Sequence, residues 1–175
     1  MSVFSIGPAG QPALAEAAQR GGCSHTKAVP GRAAPRKLRR AVVCLIKKRR
    51  QAHNAGRASA NAKLARASVK HSRKMTRSRC FSHQCGGEAP LGERIRRTGY
   101  MRNARVYAYG EVIGWGRGRR GTPRAMVDAW MHSSSHRVIL LAGRYHHLGV
   151  GIKAEGPFGQ NHAATYTVDF GYRNR

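Results

Sequence analysis

The spacing of hydrophobic positions changes along this chain and divides it into helical segments followed by strands. From Leu38 to Ile46 apolar residues recur every three or four positions, with arginine and lysine on the opposite face. This pattern predicts an amphipathic helix that ends near residues 54–56. A second helix is predicted over residues 60–78. His71 falls on its apolar face, where a histidine is more often a satisfied core residue than a ligand.

Two further helices and a short strand are predicted in the middle of the chain. A short helix covers residues 91–98, and a short strand over 106–109 leads into a turn rich in Gly and Trp that contains Glu111. Thr122 followed by Pro123 predicts a helix start, because threonine caps helix N-termini and proline fits the first helical position. Three consecutive serines are predicted to end this helix, because serine favours caps over helix interiors.

The last third of the chain has the two-residue period of β-strands. Leu148, Val150 and Ile152 alternate with glycines, and residues 165–170 alternate apolar and polar side chains. Residues 155–163 between them are rich in Gly, Pro and Asn and predict a hairpin loop. Helices first and strands last predict an α+β fold in which helices cover an antiparallel sheet.

The 175 residues predict one domain preceded by a tail. Residues 1–37 are rich in Gly, Pro and Ala without periodicity, so we predict a poorly ordered tail there and a domain over 38–175. Residues 13–15 (Ala-Leu-Ala) have the form of a signal cleavage site, yet residues 1–12 lack a basic and a continuous apolar segment. We hypothesise that the true start lies upstream. No segment approaches the roughly 20 apolar residues of a transmembrane helix.

The formal net charge of +26, from 33 basic and 7 acidic residues, is far from that of an average domain. Such a charge attracts nucleic acid, anionic lipid or acidic polysaccharide in a salt-sensitive way. No known nucleic-acid motif accompanies it, so the alternative is a solvated, arginine-rich surface. A local anion site formed by Arg117, Arg119, Arg120 and the helix start at Thr122 is a narrower version of the same idea.

The four cysteines do not have the spacing of a zinc site. An even number in a small domain favours two disulfides and an oxidising compartment. The parsimonious pairing joins Cys23 to Cys44 and Cys80 to Cys85. The alternative is four free thiols.

Seven short segments in this order resemble the CAP superfamily of cysteine-rich secretory proteins, antigen 5 and pathogenesis-related proteins, and in particular its bacterial SCP-like extracellular branch. The segments are CLIKKRR (44–50), HSRKM (71–75), FSH (81–83), GEVIGWG (110–116), VDAWMHSSSHR (127–137), LGVGI (148–152) and TYTVDFG (165–171). The resemblance covers about residues 40–172. It implies an α-β-α sandwich with a surface cavity.

The resemblance also implies which residues line that cavity. By motif, His83 in FSH and His136 in SSSHR match the two family histidines, and Glu111 in GEVI matches a family glutamate. Two imidazoles and a carboxylate can hold a divalent metal such as zinc, with His83 and His136 as ligands. They can also orient an imidazole as a general base, or merely satisfy one another. No nucleophile stands out beside them, and no catalytic residue is assigned.

The chain departs from the family pattern at three positions. The second glutamate of eukaryotic members, three residues after Trp130, is replaced by Ser133, and two asparagines common in bacterial members are replaced by Val112 and Ile139. Loss of side-chain hydrogen bonds at the last two positions puts the function of the site in doubt more than the fold. Trp115 and Trp130 are predicted to pack in the core, although a tryptophan at a cavity rim would suit lipid or sugar stacking.

The expected function is that of a secreted bacterial CAP-domain protein. A non-enzymatic, monomeric protein is favoured over an enzyme. It would bind a small apolar or lipid-like ligand, a metal or an extracellular partner through the His/Glu cavity. Fold alone does not choose among these functions. One alternative is a metal- or His/Glu-dependent, protease-like hydrolase. Another is a charge-driven binder of anionic polymer, lipid or nucleic acid.

Overall fold

A computed structural model describes residues 22–174. The helices in this part are α1 (Pro35–Ala52), α2 (Ala62–Arg77), α3 (Leu91–Arg97), α4 (Pro123–His132) and α5 (Ser134–Leu140), with a 3-10 turn at Gly118–Gly121. The strands are β1 (Ser59–Ala60), β2 (Val106–Arg117), β3 (His147–Lys153) and β4 (Ala163–Asn174). Within the described residues no helix combines the length and the apolar character that crossing a bilayer requires.

The strands form one sheet in the order β1-β3-β4-β2. β4 pairs antiparallel with both β2 and β3, while the two-residue β1 pairs parallel with the start of β3. The predicted α+β class, with an antiparallel sheet under helices, is confirmed, and β1 adds a short parallel pair. Because β2 and β4 are in register over their full length, Glu111 lies directly opposite Asp169.

The predicted turn around Glu111 is wrong, because β2 continues unbroken from Val106 to Arg117. The glycines of β2 do not form a turn. They allow side chains of the covering helix to pack closely against the strand. A Cβ at Gly114 would overlap the side chains of Met126 and Trp130, so these two α4 residues lie directly on the strand. The strand persists because β4 offers a partner at every one of its positions.

Helices cover both faces of the sheet. On one face, α1 and α4 contribute Leu38, Val42, Ile46 and Val127 to the main hydrophobic core with Val168 of β4. On the other face, α2 lies directly on β3 and β4. Removing such a continuous apolar core from water supplies most of the driving force for folding.

The contact between α2 and β3 depends on two glycines. A Cβ at Gly149 would overlap the backbone of Leu64 and Ala65, and a Cβ at Gly151 would overlap the backbone of Ser68. Backbone atoms cannot move aside as a flexible side chain does, so the helix would have to shift.

We expect Gly151→Ala to lower the free energy of unfolding by about 1–3 kcal/mol, the usual cost of overpacking a core. Urea unfolding followed by circular dichroism measures this change. Gly86→Ala is the matched control, because Gly86 has open space around its Cβ position and no positive φ. Equal stability of the two variants would show that α2 tolerates displacement from the sheet.

The described chain begins before the predicted domain boundary at residue 38. Residues 22–34 precede α1, and Thr26 accepts a main-chain hydrogen bond from the N–H of Arg124 at the start of α4. α1 itself begins at Pro35. The remainder of the predicted tail, residues 1–21, lies outside the described residues.

Both predicted disulfide pairs are bonded. Cys23–Cys44 connects the segment before α1 to the middle of that helix, and Cys80–Cys85 closes the loop after α2. The second bond spans a loop of five positions that contains His83. Closing this loop restricts the conformations open to His83 and so positions it for the site described next.

Candidate functional site

A cavity of about 710 Å³ opens between α4, β2 and the loop after α2. Most of its lining is apolar. The residues that line it are Phe81, Ser82, His83, Ile113, Gly114, Trp115, Arg120, Ala125, Met126, Ala129, Trp130, Ser133 and His136. The volume lies in the range of cavities that bind small organic molecules.

The two histidines named by the sequence both line this cavity, whereas Glu111 lies behind it. Glu111 is 3% exposed and is separated from the opening by His83. The Nδ1 atom of His83 donates a hydrogen bond to Oε1 of Glu111 over 2.8 Å. This hydrogen bond fixes the orientation of the His83 ring, and so it also fixes the position of the Nε2 atom at the cavity wall.

His136 is held by a different partner. Its Nδ1 atom and the hydroxyl of Ser133 are hydrogen-bonded at 2.8 Å. Ser133 stands where the family's second glutamate was expected, so a neutral hydroxyl contacts the imidazole there. Burial lowers the pKa of His136, and the positive charge of His83 lowers it further. His136 is therefore neutral at pH 7.

Arg94 of α3 is the second residue that donates hydrogen bonds to Glu111. Its Nη2 atom donates to both oxygens of Glu111, at 3.1 and 2.9 Å, and to the main-chain oxygen of His83 at 2.9 Å. The Arg94 side chain is only 7% exposed, and that of Glu111 only 1%. Sequence reasoning missed this arginine, although its place one turn after Leu91 and beside Ile95 puts it on the apolar face of α3.

His71 is buried in α2, as predicted for a core histidine, and its partner is Glu88. The Nδ1 atom of His71 donates to both oxygens of Glu88, at 2.9 and 3.0 Å. Its Nε2 atom lies 3.8 Å from Oε1 of Glu111. Glu88 was not identified from the sequence, because a glutamate in a Gly-rich loop carries no periodic signal. His71 thus lies between the two glutamates beneath the cavity and is hydrogen-bonded to Glu88.

Asp169 of β4 is a third carboxyl in this interior, opposite Glu111. It is fully buried, and the Ser68 hydroxyl donates to its Oδ2 atom over 2.8 Å. Burial raises the pKa of Asp169 well above its usual range, and the negative charge of Glu111 raises it further. Asp169 therefore keeps its proton to a higher pH than an exposed aspartate does. Its Oδ1 atom has no hydrogen-bond partner among the described residues.

Glu111 is the ionised member of the pair. Burial alone would raise the pKa of Glu111, but the hydrogen bond from His83 and the charges of Arg94 and His71 outweigh burial and lower it. One carboxylate between several cationic or donor groups can stay charged inside a protein, whereas two adjacent carboxylates cannot.

The titration of Asp169 predicts a pH-dependent difference between the protein and its Asp169→Asn variant. Above about pH 3.9, the usual aspartate pKa, the unfolded chain loses a proton that folded Asp169 keeps. The free energy of unfolding due to this group therefore falls as pH rises, by about 1.4 kcal/mol per pH unit, until folded Asp169 ionises. Asparagine does not titrate, and its N–H₂ group can donate to Glu111.

We expect Asp169→Asn to gain stability relative to the parent protein as the pH rises above about 4. Urea unfolding of both proteins at each pH unit measures the difference. Asp128→Asn is the control, because Asp128 is partly exposed and pairs with Arg49 at 2.7 Å. A difference for Asp169→Asn that stays constant with pH would mean that Asp169 is ionised in the fold.

These contacts do not fit the predicted zinc site. Arg94 engages both Glu111 oxygens, so a cation already occupies the place that a metal would take beside this carboxylate. Within residues 22–174 there is no group of three or more His, Cys, Asp or Glu side chains arranged to hold a metal ion. His83 and His136 remain at the cavity wall as imidazoles without a shared carboxylate ligand.

Three other positions predicted from the sequence have clear outcomes. Trp130 is buried as predicted, and its Nε1 atom donates to the main-chain oxygen of Ile113 over 2.9 Å. The core prediction is wrong for Trp115, which is 36% exposed at the cavity, because it packs edge-on against the exposed Phe158. Val112, at one of the two asparagine positions, is a fully buried core residue.

Comparison with known proteins identifies a sequence family. The family model described as "Cysteine-rich secretory protein family", CAP, matches residues 43–170, which is well over half of the chain. Among curated proteins none matches the sequence. The matched range includes α2, α3, α4 and all of the residues that line the cavity.

Three of the solved structures similar to this one are bacterial proteins. An outer surface protein from Borrelia burgdorferi is 18% identical with a TM-score of 0.66, and the match covers 81% of this chain and 97% of that chain. An extracellular protein containing an SCP domain from Bacillus anthracis is 24% identical with a TM-score of 0.61, over 80% of this chain and 44% of that one. A cysteine-rich secretory protein from Staphylococcus aureus is 14% identical with a TM-score of 0.54, over 78% and 38%.

At these identities the three structures establish the fold alone. The chain spans less than half the length of the Bacillus and Staphylococcus proteins, while it spans nearly all of the Borrelia protein.

Proposed function

Because this chain belongs to the cysteine-rich secretory protein (CAP) family, we propose that its cavity binds a small apolar ligand outside the cell and that it is not a hydrolase. The observation that carries the proposal is the composition of the cavity: an apolar, partly aromatic lining with two imidazoles at one side and the carboxylate of Glu111 buried behind them. Apolar pockets with a few polar groups favour apolar ligands that carry one polar end.

The aromatic residues provide the contact surface. Trp130 and Met126 form the buried wall, while Phe81 and Trp115 stand partly exposed at the opening. A ligand that covers Phe81 and Trp115 removes apolar surface from water, at about 25 cal/mol per Å². A hydroxyl or carbonyl on that ligand would find hydrogen-bond partners in His83 and His136.

The setting of Glu111 argues against general-base catalysis. A general base works best with a pKa near the working pH, whereas Arg94 and His83 keep the pKa of Glu111 low. Ser133 and His136 are hydrogen-bonded, but Glu111 orients His83 and not His136. The third group that orients the base in nucleophilic hydrolases is therefore missing from this pair. If Glu111 does act in hydrolysis, Glu111→Gln will abolish a measurable turnover.

We place this binding outside the cytoplasm. Two disulfides suit an oxidising compartment, because cytosolic thiols are kept reduced. Two similar proteins, an outer surface protein and an extracellular protein, support the same location.

Intrinsic fluorescence tests the proposal, because the chain has two tryptophans and both line the cavity. Bromine quenches tryptophan at short range, so 12-bromododecanol serves as an uncharged apolar probe. We expect saturable quenching by this probe.

A cavity-filling variant tests whether the quenching comes from probe bound in the cavity. Ala129 is exposed within the cavity. Ala129→Phe should lower the affinity for the probe by at least about tenfold, or 1.4 kcal/mol. His132→Phe adds the same ring at an exposed position of α4 outside the cavity and should leave quenching unchanged. Quenching that is linear in probe concentration and equal in all three proteins would refute cavity binding.

A further inference from the structure

A second concavity, which we call the basic groove, lies on another part of the molecule. It has a volume of about 700 Å³ and runs between α1 and the first turn of α2, at the edge of β3. β1 pairs only with His147 and Leu148, so the groove opens where that pairing stops. It shares no lining residue with the cavity that contains His83.

One wall of the basic groove is cationic. It is formed by five α1 side chains: Arg36, Arg39, Arg40, Lys47 and Lys48. The lining contains no Asp or Glu.

Every described carboxylate is engaged elsewhere. Glu88, Glu111 and Asp169 are inside the fold, and those on the surface pair with Arg49, Lys153 or with arginines of α3. The groove cations therefore lack a counter-charge among residues 22–174.

The crowding of these cations has a physical cost. Burial lowers the pKa of Arg39, and the positive charges of Arg73 and Arg36 lower it further. Like charges held together in this way repel one another, and an anion placed among them relieves the repulsion. Guanidinium groups are also suited to bind a phosphate or carboxylate through two parallel hydrogen bonds.

The floor of the groove is apolar, in contrast to its wall. The partly exposed side chains of Val43 in α1 and Ala65 in α2 provide it, above the buried β3 residues Leu148 and Val150. A highly charged polymer would leave this floor without a partner. An aliphatic chain would cover it.

We propose that the basic groove binds a single-chain anionic amphiphile, with its phosphate or carboxylate head at Arg36, Arg39 and Arg40 and its chain along the floor. Arg36 and Lys47 are 11 positions apart, which corresponds to about 16 Å of helix at 1.5 Å per residue. A chain of about a dozen carbons has a similar extended length. The inference goes beyond the proposed function, because it concerns a different site and a charged ligand.

Isothermal titration calorimetry with alkyl phosphates below their micelle concentrations tests both halves of the site. We expect dodecyl phosphate to bind saturably, and each CH₂ removed from the chain to weaken binding about fourfold, equivalent to 0.8 kcal/mol. Raising the salt from about 50 to 500 mM should weaken binding because the head contact is ionic. Inorganic phosphate alone should bind far more weakly.

Paired charge-removing variants separate the groove from the overall charge. Arg39→Gln combined with Arg40→Gln should lower the affinity for dodecyl phosphate by about tenfold or more. Arg102→Gln combined with Arg105→Gln removes the same charge from exposed positions outside the groove and should have little effect. The groove has no tryptophan in its lining, so quenching by 12-bromododecanol should be the same in all of these variants.

Three results would overturn the inference. Equal losses in the two double variants would show that net charge, not the groove, attracts the ligand. Affinity that is independent of chain length, with inorganic polyphosphate as an effective competitor, would indicate a polyanion site. No saturable binding of dodecyl phosphate would remove the site altogether, whatever the outcome of the quenching experiment.

Discussion

Replacing Arg94 with methionine should lower the free energy of unfolding by about 3–5 kcal/mol, the usual cost of removing one partner of a buried ion pair. The substitution leaves Glu111 with a negative charge inside the fold and removes donors to both of its oxygens. It also removes the hydrogen bond to the main chain at His83. We therefore expect the cavity wall to lose order together with overall stability.

A second substitution distinguishes charge from packing. Arg94→Met combined with Glu111→Gln removes both charges and should recover much of the lost stability, because an uncharged pair has no desolvated ion. Arg96→Met is the control, since Arg96 lies on the exposed side of the same helix and pairs with Glu93. Chemical denaturation measures all three. A double variant as unstable as Arg94→Met alone would mean that the arginine acts by packing.

Arg50→Met should lower the free energy of unfolding by at least about 3 kcal/mol. Arg50 is 1% exposed and has no acidic partner among the described residues. Its guanidinium donates instead to five main-chain oxygens, those of Ala55, Gly56, Leu140, Ala142 and Tyr145. Each buried carbonyl left without a donor costs about 1–3 kcal/mol.

Four of the five acceptors belong to two separate loops, the one after α1 and the one between α5 and β3, and the fifth, Leu140, is the last residue of α5. Loss of Arg50 should therefore increase amide hydrogen exchange in both loops before global unfolding. Arg49→Met is the matched control, because Arg49 is 43% exposed and its pair with Asp128 is a surface ion pair worth about 1 kcal/mol or less. Similar losses in the two variants would contradict the assigned function of Arg50.

Periodicity predicted the helices well and the buried arginines poorly. α1 and α2 lie within a few residues of their predicted bounds, because their apolar stripes repeat over several turns. The stripe Leu38, Val42, Ile46 continues at the same spacing to Arg50, so a signal was present. It was not read as a core position, because arginine is almost always exposed unless it is fully paired.

The candidate site could be predicted only as far as the family motifs reached. The motifs placed His83 and His136 on one cavity, which residue spacing alone could not do over some fifty positions. Glu111 was expected to line that cavity but lies behind it, because β2 is a continuous strand whose partner at that position is Asp169. Contacts made across strands, such as this carboxyl pair, depend on register and were not visible in the sequence.

The most direct test of apolar ligand binding is a crystal structure of the protein with 12-bromododecanol and the anomalous signal of its bromine. We expect a bromine peak inside the cavity, in contact with Met126 and Ala129 and near Trp115. A probe that binds saturably in solution but gives its bromine peak outside this cavity would contradict the account.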